Sequence, residues 1–89
     1  MKQPYLEITF RRGKPLAAYL YLPRPPGARS ARTVEARPSV LVDFAADGAP
    51  IGVEILAPRE VDATVINGVL AEFGLAPLPT ADFAPLRAA

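Results

Sequence analysis

The sequence predicts an α+β domain: an antiparallel sheet of about four strands, formed by hairpins over 5–22 and 39–56, with one C-terminal helix over about 63–73 and an ordered apolar tail. Three observations predict it. Residues Tyr5 to Phe10 and Leu16 to Leu22 alternate at the period of a half-buried strand. Asp47-Gly48 lies between two apolar runs, a strong short-range hairpin signal. After Pro58 the apolar spacing lengthens from two residues to that of a helix.

In the first strand Leu6, Ile8 and Phe10 share one side and Tyr5, Glu7 and Thr9 the other. Arg11-Arg12-Gly13-Lys14-Pro15 then reads as a polar hairpin tip. The second strand sets Leu16, Ala18, Leu20 and Leu22 against Ala17, Tyr19 and Tyr21. Pro23-Arg24-Pro25-Pro26-Gly27 ends the pairing, because proline cannot donate to a ladder, and opens a basic loop to about Arg32. In the second hairpin a two-residue Asp47-Gly48 loop sets Phe44 against Ile51, Val42 against Val53 and Val40 against Ile55, all on one side. A four-residue turn shifts the pairs by two and keeps the sides. Leu41, Asp43, Gly52, Glu54 and Leu56 face the other way, and Gly52 is expected to permit close approach of a neighbouring side chain.

Val65, Ile66, Val69, Leu70 and Phe73 recur at helical spacing, Asp62 suits the N-cap, and Gly74 stands where a helix commonly ends. Gly68 inside the stretch costs about 1 kcal/mol relative to alanine, so packing must hold this helix. Leu75, Leu78, Phe83 and Leu86 anchor the tail between prolines, and Thr80 can cap a turn over Ala81 to Ala84.

A chain of 89 residues is expected to form one domain, 1–89, with modest burial. It has no cysteine, hence no disulfide or thiolate metal site, which fits the reducing cytoplasm. It has no histidine, the commonest general base and nitrogen ligand. Pro4, Glu7 and Thr9 interrupt the N-terminal stretch, so no signal-peptide core is expected there. The longest apolar run, Leu16 to Leu22, is one strand long, so no membrane span is expected. Charge is uneven. Residues 1–37 hold eight basic groups and two acids, a balance of +6, whereas 38–89 hold two basic groups and seven acids, a balance of −5. The plain explanation is two halves that neutralise each other within one fold; the alternatives are head-to-tail association or an acidic partner.

Taken in order, Ile8-Thr9-Phe10, Ala18-Tyr19-Leu20-Tyr21-Leu22, Ala31-Arg32-Thr33-Val34-Glu35, Val40-Leu41-Val42-Asp43-Phe44, Asp47-Gly48 and Ile51-Gly52-Val53-Glu54-Ile55-Leu56 resemble the domain-of-unknown-function family 2283, a group of small, mostly bacterial domains. The resemblance covers about residues 8–56, and its most specific piece is the Val-Asp-Phe to Ile-Gly-Val-Glu-Ile-Leu hairpin. It implies a compact antiparallel sheet with a helix and implies no activity. Family members usually carry an acidic turn between the first two strands, where this chain has Arg11-Arg12-Gly13-Lys14, and here the 23–32 loop is longer and more basic. Some relatives are encoded beside small toxin-like proteins, which is an association and not a mechanism.

Asp43 and Glu54 share a sheet face on adjacent strands, with Glu7 joining them if the first strand is close. Paired carboxylates can exchange protons or bind a hard cation. Polar residues on a half-exposed face explain them equally well, and with no histidine, nucleophile or phosphate loop the sequence predicts no enzyme, no cofactor and no metal site. The same face carries Tyr5, Tyr19 and Tyr21, the side chains that protein interfaces enrich. Tyr5, Glu7, Tyr19, Tyr21, Asp43 and Glu54 therefore form the candidate interaction face. Which face the helix covers is open from the sequence. Because one helix cannot cover both sides of the sheet, the expected partner is a second copy in a homodimer, with another small protein as the other possibility. Arg11, Arg12 and Lys14 at the tip and Arg24, Arg29 and Arg32 in the long loop are candidate contacts for a small anionic ligand or nucleic acid. Without interleaved aromatics, basic loops are ordinarily only solvated, so this reading comes second. The expected function is a small, non-enzymatic, self-associating interaction module of the cytoplasm, in one version the neutralising partner of a toxin-like protein.

Overall fold

The structure is a computed structural model that describes residues 3–87. Five strands form one antiparallel sheet: β1 (Tyr5–Arg11), β2 (Lys14–Tyr21), β3 (Arg32–Arg37), β4 (Val40–Phe44) and β5 (Pro50–Ile55). Their spatial order is β1-β2-β5-β4-β3, so the chain leaves β2, crosses to the far edge and returns through β4 to β5. The two expected hairpins are present, and β2 pairs with β5 from Ala18 opposite Ile55 to Tyr21 opposite Gly52.

The fifth strand, β3, corrects the expected count of about four. Val34 and Ala36 pack on the core while Thr33 and Glu35 face away, so the segment has strand periodicity. It follows a loop rich in proline and arginine, and Pro38 comes directly after it. That punctuation masks a six-residue edge strand, joined to β4 by a turn at Pro38-Ser39 in which Ser39 has φ +65°.

Leu16 also departs from expectation. A bulge shifts the β1–β2 register so that Thr9 opposes Ala17 while Phe10 opposes Pro15, leaving Leu16 as the extra residue. Pro15 is buried in its place, and Leu16 is 51% exposed. The second hairpin has a three-residue loop rather than two. Ala45 N–H donates to Ala49 O and Gly48 N–H to Ala45 O, with Gly48 at φ +89°, where a glycine is favoured. Phe44 consequently opposes Pro50 and not Ile51; a second register shift restores Val42 opposite Val53 and Val40 opposite Ile55.

One side of the sheet is the core. Leu20, Leu22, Val40, Val42, Phe44, Val53 and Ile55 pack there against α1 (Ala63–Glu72) and the segments around it. Asp62 caps α1 by accepting from Val65 N–H at 3.0 Å, and Ile66, Val69 and Leu70 form its buried stripe. A short 3-10 turn, Pro58–Glu60, precedes α1, and a second 3-10 segment, Thr80–Arg87, carries the tail back towards β1 with Phe83 and Leu86 buried. Asn67 clasps that tail: its side chain donates to Leu78 O at 3.0 Å and accepts from Leu78 N–H at 2.8 Å. No helix among the described residues is long and apolar enough to cross a membrane.

Candidate functional site

Because the helix and tail lie on the aliphatic side, the opposite side of the sheet is open. Strand pairing arranges it in two rows. One runs Tyr5, Tyr21, Gly52, Asp43, Thr33 from edge to edge; the next runs Glu7, Tyr19, Glu54, Leu41, Glu35. All six residues of the candidate interaction face therefore lie together.

The tyrosines are organised rather than scattered. Tyr5 and Tyr21 stack with centroids 4.5 Å apart and planes 13° from parallel, and Tyr19 tilts against Tyr21 at 4.7 Å. Tyr19 leaves its own row to lie over Gly52, where a Cβ would overlap its ring. Only a residue without a side chain lets the phenol cross the middle strand and donate to Asp43 Oδ2 at 2.7 Å. Thr33 donates to the other oxygen, Oδ1, at 2.5 Å. Tyr21 donates to Glu7 Oε1 at 3.2 Å. Burial, and then the hydrogen bond to the Asp43 carboxylate, push the Tyr19 phenol well above its ordinary value. Tyr21 is raised by the same two causes, with Glu7 as its carboxylate and Arg24 acting in the opposite sense. Both phenols are therefore donors at neutral pH. Beside them a shallow depression of about 320 Å³ is bounded by Glu7, Thr9, Ala17, Ala18, Tyr19, Tyr21 and Glu54.

The six candidate basic residues do not form one patch. Arg11, Arg12 and Lys14 stand at the β1–β2 tip, while Arg24 and Arg29 lie in the loop that leaves the other end of β2 and Arg32 opens β3. The eight-residue β2 spans about 23 Å at about 3.3 Å per residue. Two of them are engaged with rings: the Arg24 guanidinium lies 4.9 Å from the Tyr21 centroid and that of Arg32 4.5 Å from the Phe44 centroid. Arg37 joins the basic half of the chain to the acidic half through Glu72 on α1, at 3.0 Å.

Sequence reasoning missed Thr33 and Glu35 on this face because it missed β3. The available signal was the alternation of Thr33 and Glu35 with Val34 and Ala36. Among the described residues no group of three or more carboxylates is placed to hold a metal ion.

A family described as a protein of unknown function (DUF2283) has a model that matches residues 17–57. The match contains β3, β4 and β5 and residues 17–21 of β2, but neither β1 nor α1. Ile8-Thr9-Phe10 and the basic tip lie before it. No curated protein and no solved structure matches the chain. Over the strands that build the centre of the open face and one of its edges, the chain is similar to that family of unknown function.

Proposed function

We propose that the protein is a small non-enzymatic interaction module that presents its open sheet face to another protein. One observation carries the reading: Tyr5 and Tyr19 both pack on Tyr21, Tyr19 and Tyr21 are hydrogen-bonded to carboxylates, and all three occupy a sheet face that nothing in the described chain covers. Tyrosines held by neighbours contribute contact area at little entropic cost on binding. The carboxylates support binding over catalysis, since Asp43 is occupied by two hydroxyl donors. A toxin-like protein neutralised by this module is the specific version that the family resemblance supports. The cysteine-free composition favours a reducing compartment, the cytoplasm, as the place of action.

Self-association through this face has less support than a different partner. A two-fold dimer would set Glu7, Glu35, Asp43 and Glu54 against their copies, and like charges in contact oppose assembly. Binding of an anion or nucleic acid is weaker still, because the basic groups do not form one patch.

Affinity capture from the native cell at physiological salt tests the proposal. A partner is expected to be retained by the wild-type chain and by Glu60→Ala, and lost with Tyr21→Ala. Equal retention by Tyr21→Ala, or capture of nothing by the wild type, would count against the open face. A thermal-shift screen with nucleotides and inorganic phosphate addresses the alternative, because a ligand at 100 times its Kd adds about 2.7 kcal/mol of stability.

A further inference from the structure

Resting on the reading of the open face as an interface, we propose that its partner is a basic protein segment, one arginine of which seats between Glu7, Tyr19, Tyr21 and Glu54. The charge of the face is the first argument. Glu7, Glu35, Asp43 and Glu54 all lie on it, whereas Arg24 sits at one corner on Tyr21 and Arg11 stands at the far tip of β1.

The carboxylates differ in what they already hold. Asp43 has both oxygens occupied by hydroxyl donors, and Glu7 has one oxygen taken by Tyr21. The carboxylate of Glu54, half-buried near the middle of the sheet, has no hydrogen bond or ion pair with another described residue. A partly buried carboxylate without a partner gains most from an incoming cation, because some of its desolvation has already been met on folding.

Glu7 and Glu54 flank Tyr19 in one row, on strands two places apart. Adjacent strands are about 4.8 Å apart, which separates the two backbones by roughly 10 Å. A guanidinium with a hydrogen bond of about 2.9 Å on each side suits that gap. Tyr19 and Tyr21 line the same depression and add aromatic surface beside that gap. Arginine fits better than lysine, since its planar fork both stacks on an aromatic ring and donates to two carboxylates. Arginine stacks on a ring twice within the chain itself, Arg24 over Tyr21 and Arg32 over Phe44.

The test titrates the whole chain with a short peptide alternating arginine and alanine, beside lysine and glutamate versions, and follows amide and tyrosine-ring NMR shifts. Shifts centred on Tyr19, Tyr21 and Glu54 are expected, with affinity in the order arginine, lysine, glutamate. The double variant Glu7→Gln, Glu54→Gln, which keeps an acceptor for Tyr21, should melt like the wild type and bind the arginine peptide at least about tenfold more weakly. Shifts centred on Glu60 and Asp62, or unchanged affinity in the double variant, would overturn the arginine seat. Cellular capture separates the two readings. Capture that needs Tyr21 but not Glu7 and Glu54 keeps the interface and removes the arginine; capture that needs none of them removes both. A dimer by light scattering that dissolves with Arg11→Ser, Arg12→Ser would assign the seat to a second copy and overturn the separate partner.

Discussion

Gly52 decides the geometry of the open face. It stands opposite both Tyr21 and Asp43, and its missing side chain is the space in which the Tyr19 ring lies. Gly52→Ala is expected to expel that ring, break the hydrogen bond to Asp43 and cost about 2 kcal/mol, measured by chemical denaturation. The same variant should lower the Tyr19 titration towards the ordinary phenol value, read by ultraviolet absorbance. A sign follows for the wild type. The folded chain holds the Tyr19 and Tyr21 protons more tightly than the unfolded chain does. Their contribution is therefore complete below pH 10, the ordinary phenol value, and is lost as the pH rises through the folded values. Melting temperatures should fall above that pH less steeply in Gly52→Ala than in the wild type. The sequence marks Gly52 as a site of close approach, but it cannot say to what, because Tyr19 lies far away along the chain and reaches it only through the β2–β5 pairing.

Elements that depend on near neighbours in sequence were legible in it. The α1 helix has its predicted cap and apolar stripe, since both are set within a few residues of one another. Gly68 is exposed there, and a Cβ added to it would meet nothing within 4 Å. Gly68→Ala should therefore recover the propensity cost of about 1 kcal/mol, raising the melting temperature by about 4–8 °C in a domain of this size. An unchanged melt would show that backbone freedom at this position contributes nothing. Strand β3 was harder to read because the punctuation on both sides obscured its alternation. Bulges were not legible at all. Those at Leu16 and beside Phe44 arise where a ladder fitted from one end meets a turn at the other, and neither strand alone encodes that misfit.

At the scale of the whole molecule, one helix and a folded-back tail cover one side of a five-stranded sheet. The tail is part of the core: Phe83 is 3% and Leu86 1% exposed. Removing a buried Phe or Leu side chain costs about 2–5 kcal/mol, and a domain of this length has roughly 5–13 kcal/mol in all. Phe83→Ala combined with Leu86→Ala should leave no cooperative thermal transition by circular dichroism. A sharp melt in the double variant would mean that sheet and helix are stable without the tail. The uneven charge of the two chain halves resolves differently from a simple match. Arg37–Glu72 joins them, yet four carboxylates share the open face and three basic groups stand at a hairpin tip.

The sequence by itself determined the two faces of β1, β2, β4 and β5 away from the bulge at Leu16, the Asp-Gly hairpin, the capped helix and the apolar anchors of the tail. Each follows from a repeat of two or 3.6 residues, or from a turn residue within a few positions of its effect. Tertiary structure alone decided which sheet face the helix covers, that β3 closes the far edge, and that Tyr19 crosses Gly52 to meet Asp43. Those outcomes join residues far apart in the chain. A local pattern states which way a side chain points, and only packing states what it meets there.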